Sequence, residues 1–187
     1  MAFSAFLDAC VLAPYNLADL LLTMPDSGSS YRPLWSPGVL EELERTLVDD
    51  LGVQPASAQY RIETMVEYFD DAMVTGYEDL INGMTNHPKD RHVLAAAVKG
   101  GAQVIVTNDV KGFPASALKA YDITAVSADQ FLRNQLDMYP QATVAALLQV
   151  AEDRDNPPTS VAEVLGYLNV LVPGFVAEVI PMLPEQS

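Results

Sequence analysis

Residues 3–7, Phe3-Ser4-Ala5-Phe6-Leu7, form a largely apolar run that ends at Asp8. Val104-Ile105-Val106 form a second run, of β-branched residues, that ends at Thr107-Asn108-Asp109. Neither run alternates apolar with polar, so each predicts a strand covered on both faces, as strands of parallel sheets are. Between and after them lie helix patterns. Ser36-Pro37 opens one, with serine placed to cap, proline at the first helical position, and Val39, Leu40, Leu43 and Leu47 at helical spacing. Residues 55–73 read as another helix, and 73–75 as a short strand. A third starts at Asp90 or Arg91, shows Val93, Leu94, Ala97 and Val98 on one face, and ends at Gly100-Gly101. Residues 115–120 predict a short helix, 123–126 a strand and 128–136 a helix. Alternation of this kind predicts an α/β fold with a central parallel sheet.

Past residue 137 the strand signals stop. Residues 141–150 read as helical, Asn156-Pro157-Pro158 as a break, Ser160 and Glu163 as a capping box, and Pro173 as the start of a last helix ending near Pro181. Near the beginning, residues 17–24 read as a helix stopped by Pro25, and 26–30 as a polar loop. The expected organisation is therefore an α/β domain over residues 1–136 and a helical extension over 137–187.

Composition narrows the function classes. Half of the 187 residues are hydrophobic, enough to rule out wholesale disorder. The single cysteine, Cys10, excludes a disulfide scaffold and a cysteine-built zinc site, and reads as a small buried side chain. No uninterrupted apolar run reaches the length of about 18 residues that would span a bilayer. The N-terminus lacks a basic n-region, so a cytoplasmic protein with no membrane partner is the expectation. Ten Lys+Arg against 25 Asp+Glu give a net charge of −15, which excludes general attraction to polyanions.

Four acids fall at positions that such a sheet would bring together. Asp8 and Asp109 follow strands, Glu41 or Glu42 lies early in the Ser36 helix, and Asp90 begins the next helix. Strand carboxyl ends and the helix starts that follow them share one edge, where ligands bind. Taken singly, each acid reads as a cap, a turn residue or a helix-dipole partner. Converging, the carboxylates would repel one another by on the order of several kcal/mol and would need a hard divalent cation such as Mg²⁺ or Mn²⁺. The matching chemistry is phosphoryl transfer or phosphodiester hydrolysis.

The stretches Phe6-Leu7-Asp8-Ala9-Cys10-Val11-Leu12, Trp35 to Leu43, Asp90 to Ala97 and Val104 to Pro114 together resemble the PIN-domain nucleases. The closer likeness is to the VapC-type toxins of toxin–antitoxin pairs, in a longer subgroup with a C-terminal helical extension. The resemblance implies an α/β/α sandwich and a metal-dependent endoribonuclease that cleaves RNA and is blocked by a cognate, VapB-like antitoxin. It makes Asp8, Glu42, Asp90 and Asp109 the catalytic and metal-binding acids, with Mg²⁺ or Mn²⁺ as cofactor. Glu42 is preferred over Glu41 because it directly precedes an apolar residue. Thr107, Asn108, Lys89, Arg91 and Lys111 are candidates for substrate contact, and His92 is a neighbour with no assigned role. The apolar helices of the extension are compatible with a homodimer surface, a lid or an antitoxin dock.

Two other readings remain at this stage. A PIN-like interaction or RNA-processing module without a toxin role would share the fold. A phosphatase of the HAD type would also place Asp8 after the first strand, but it needs a second Asp where Cys10 stands.

Overall fold

The computed structural model describes residues 3–26, 31–154 and 157–184. Among these are four parallel strands: β1 Phe3–Leu7, β2 Tyr31–Leu34, β3 Val104–Val106 and β4 Thr124–Val126. Their order in the sheet is β2-β1-β3-β4, with Phe3 opposite Tyr31, Leu7 opposite Val106, and Val106 opposite Val126. All of β3 and residues 4–7 of β1 are buried. Successive side chains point to opposite sides of a strand, so both faces of the sheet centre are covered, as the apolar runs require.

The helices are α1 Ala9–Leu12, α2 Tyr15–Thr23, α3 Pro37–Arg45, α4 Pro55–Tyr68, α5 Arg91–Gly100, α6 Ala115–Leu118, α7 Ala128–Met138, α8 Pro140–Glu152, α9 Val161–Asn169 and α10 Pro173–Val179. Local chemistry explains several of their ends. Ser36 caps α3 by accepting from the Val39 amide, with Pro37 in the first turn. Gly101 ends α5 in the left-handed conformation, at φ 67°. Ser160 and Glu163 form the expected reciprocal box at the start of α9.

The structure differs from the sequence expectation in two places. Strand β2 was not foreseen: Tyr31-Arg32-Pro33-Leu34 is short and contains proline, which an edge strand tolerates because one row of its amides pairs with nothing. Helix α4 stops at Tyr68, five residues early, and Met73 bridges to Trp35 in parallel instead. The Trp35 amide donates to Ala72 O at 3.0 Å and the Val74 amide to Trp35 O at 2.8 Å. Trp35 itself is fully buried, edge-on to Phe69, so the backbone leading into Ser36 and α3 is pinned. The polar loop expected over 26–30, apart from Asp26, and the residue Asn156 of the expected break lie outside the described residues.

By its internal contacts the chain forms two compact units. One comprises Met1–Ala13 and Tyr31–Val126 and contains the whole sheet; the other comprises Pro14–Ser30 and Ser127–Ser187. Helices α2 and α7 thus group with the C-terminal helices, whereas the expected boundary at 136/137 follows only linear order. Within the second unit Arg154 donates to Asn16 and Asp19, which ties the α8 end to α2. Among the described residues no helix is long and apolar enough to cross a membrane.

Candidate metal centre

In the sheet order, β1 sends its chain one way to β2 and its other neighbour is β3, so the crevice between the ends of β1 and β3 is the switch point of the sheet. Asp8 and Thr107 are the first residues past the Leu7–Val106 pair and face each other there. The Asp8 amide still donates to Val106 O at 3.1 Å. Both carboxylate oxygens of Asp8 are held: Oδ1 accepts from the Ala9 amide at 2.8 Å, and Oδ2 from the Thr107 hydroxyl at 2.7 Å. Asp8 therefore does cap α1, as the plain reading of an acid after a strand suggests, and also lies at the cavity wall. Helix α1 is held at its other end by the Arg61 guanidinium, which donates to Leu12 O and Ala13 O.

A cavity of about 410 Å³ opens at this edge, and Asp8, Glu42, Asp90 and Asp109 all line it. Glu41 is exposed and does not line the cavity, whereas Glu42 does. The reason is helical phase. Gly38, Glu42, Arg45, Thr46 and Asp49 recur at three- to four-residue spacing, and the last four line the cavity. After Arg45 the helix loosens into a π-helical turn, Thr46–Asp50, which carries that face along the wall.

Asp90 is 9% exposed, and its side chain caps nothing although it stands at the start of α5. Its Oδ2 is buried and accepts no hydrogen bond; His87 Nδ1 is 3.8 Å away. Burial pushes the Asp90 carboxyl above its ordinary range, against the opposing pull of Lys89. The loop Asp109–Gly112 closes over it. A Cβ on Gly112 would stand 2.2 Å from Asp90 Oδ2, so only glycine permits that approach.

The other two acids are paired. Asp109 Oδ2 receives Lys89 Nζ at 2.6 Å, which holds Asp109 below its usual range and Lys89 above its own. Glu42 Oε1 lies 3.2 Å from His92 Nε2; the hydrogen bond lowers Glu42 and raises His92. On its other side His92 Nδ1 approaches Gly38 so closely that a Cβ there would stand 3.1 Å away. Glycine at this position lets the imidazole lie against α3 and reach Glu42 one turn later. His92 thus has a role that the sequence did not suggest.

The remaining candidates separate. Thr107 is completely buried and serves Asp8, so it positions a carboxylate and does not reach outward. Asn108 is exposed, its amide donating to Cys10 Sγ at 3.3 Å. Lys89 lines the cavity, whereas Arg91 and Lys111 do not, and Arg91 Nε donates to Asn86 O. Cys10 is not a buried filler: it lines the cavity, 3.5 Å from Asp8 Oδ2 and from Thr107 Oγ1, and burial raises its thiol. Arg45 and Thr46 were missed, although their spacing from Glu42 marks them.

The donor chemistry fits a hard divalent cation. The acids offer carboxylate oxygens, and the buried Asp90 Oδ2 lacks a partner. Among the described residues, no three His, Cys, Asp or Glu side chains are yet gathered tightly enough to enclose an ion. Two of the acids are paired instead, Asp109 with Lys89 and Glu42 with His92.

Comparison with known proteins adds an independent line. The PIN domain family matches residues 4–111, and the family described as the VapC50 C-terminal domain matches residues 128–180. A protein of Mycobacterium tuberculosis (strain ATCC 25618 / H37Rv), named "Putative ribonuclease VapC50", is 47% identical over 116 residues, covering 62% of this chain and 69% of its own length. No solved structure matches.

Proposed function

The chain belongs to the PIN domain family and carries a VapC50-type C-terminal domain, and from that premise we propose that it is a metal-dependent endoribonuclease acting as the toxin of a toxin–antitoxin pair in the cytoplasm. Asp8, Glu42, Asp90 and Asp109 are its metal-binding acids, with Mg²⁺ or Mn²⁺ as the ion. The observation that carries this reading is the convergence of four carboxylates, from four separate segments of chain, on one cavity at the β1/β3 edge.

A divalent cation bound there would supply charge to stabilise the phosphate oxygens and would lower the pKa of a water for hydrolysis. The protein's own groups prepare the site. Thr107 and the Ala9 amide fix Asp8, so its oxygens need no reorganisation on binding. The buried orphan Oδ2 of Asp90 offers a carboxylate that has little else to bond. His92 holds Glu42 ionised and oriented across the cavity. Arg45 and Lys89, the cations that line the cavity, would hold the RNA backbone and keep the scissile phosphate in register. An acidic surface, −15 over the chain, suits an antitoxin with a basic inhibitory segment.

The test is cleavage of total RNA by the purified protein with Mn²⁺, read by sequencing the new ends. Wild type is expected to cut at defined sites, and Asp8→Ala and Asp90→Ala to lose at least 100-fold in rate, as removal of charge-stabilising groups does, with unchanged circular dichroism. Cleavage by both variants at the wild-type rate would contradict the assignment.

A further inference from the structure

We propose that Lys89 is an exchangeable counter-ion of this site: its ammonium holds Asp109 while the cavity lacks a divalent cation and gives that carboxylate up when one binds. The inference rests on the functional reading above and adds a competitor that the reading does not contain.

Three observations support it. Lys89 Nζ lies 2.6 Å from Asp109 Oδ2 and 4.0 Å from Asp90 Oδ1, so one ammonium serves two of the four acids. The side chain is 61% exposed, so its stem can swing away without breaking packing. Both acids line the same cavity as Lys89, so a dication among them would lie next to the ammonium and repel it. The other cationic groups facing these acids are less able to do the same. His87 stands 3.8 Å from Asp90, beyond hydrogen-bond reach, Lys111 acts on Asp109 only at longer range and from outside the cavity lining, and His92 is committed to Glu42. Exchange would also release a primary ammonium at the cavity mouth, free to meet an RNA phosphate.

Calorimetric titration of Mn²⁺ into the full chain without RNA tests this directly. Lys89→Met should bind Mn²⁺ about two- to fivefold more tightly than wild type, the scale of an exposed charge pair. Lys89→Arg, which keeps the charge, should stay close to wild type. In an Asp109→Asn background, Lys89→Met should change the affinity much less, because the pair that competes is already gone. Equal or weaker binding by Lys89→Met, or a gain that persists undiminished with Asp109→Asn, would overturn the exchange while leaving the functional reading in place. Absence of Mn²⁺ binding in every one of these proteins would overturn the functional reading itself.

Discussion

At the scale of single residues, the site depends on side chains that do no chemistry themselves. Gly112 is the sharpest case, since any Cβ would collide with Asp90. Gly112→Ala is therefore expected to displace Asp90 and weaken Mn²⁺ binding at least tenfold, with some loss of thermal stability because Gly112 and Asp90 are both buried. Calorimetry beside a melting curve checks this; unchanged Mn²⁺ affinity would show that the approach of Gly112 to Asp90 is incidental. That the four acids would share one cavity was legible in the sequence, because each follows a strand or sits in the first turns of a helix, positions that topology sends to one edge. Their partners were not. His92 and Glu42 are 50 residues apart, and nothing local signals that Gly38 leaves room for the imidazole. Thr107 looked like an outward contact because a hydroxyl after a strand carries no mark of the carboxylate it meets across the sheet. Cys10 looked like filler for the same reason.

At the scale of elements, local rules explain most helices and fewer strands. Ser36-Pro37, Gly100-Gly101 and the Ser160–Glu163 box each specify a helix end from within a few residues, and each forms as expected. Strand β2 escaped because four residues with a central proline carry little pattern; its place follows from pairing with β1, a contact distant in sequence. Helix α4 ends before the apolar pattern does, and the residues after it turn to pair with Trp35, a partner distant in sequence. The capping box gives a pH prediction. Hydrogen bonds from the Ser160 amide and hydroxyl hold Glu163 below its ordinary value of 4.5. A lowered carboxyl contributes stability that is present above that ordinary value and lost as pH falls through the folded one. The α9 end should therefore loosen on acidification below about pH 4.5, seen as faster amide exchange at the start of α9. Glu163→Gln, which keeps an oxygen acceptor in the box but cannot titrate, should lose this acid dependence. Acid dependence surviving in Glu163→Gln would point to another group.

At the scale of the whole molecule, the charge of −15 sets how RNA can be held. Only a few cations stand near the cavity, so few phosphates can be neutralised directly. With two or three such contacts, the logarithm of RNA affinity should fall with the logarithm of salt at a slope of roughly −1.5 to −2, about −0.7 per contact on a single strand. Binding isotherms of a non-cleavable RNA at several salt concentrations check this, and a slope steeper than about −4 would mean a basic surface that the structure does not show. The division into two units also bears on function. The Ser127–Ser187 segment of the second unit coincides closely with the part matched by the VapC50 C-terminal domain family, whereas its Pro14–Ser30 segment falls within the PIN match. The linear break at 136 missed this because α2, near the beginning of the chain, packs with α8 and α9. Tertiary contacts between distant segments leave no mark in local composition.

The central claim is that Asp8 and Asp90 hold a divalent cation at the carboxyl ends of β1 and β3. Anomalous diffraction from crystals grown with Mn²⁺ measures it most directly. The account predicts an anomalous peak in contact with both carboxylates, with Lys89 turned away from Asp109. A peak elsewhere, or none at saturating Mn²⁺, would contradict it.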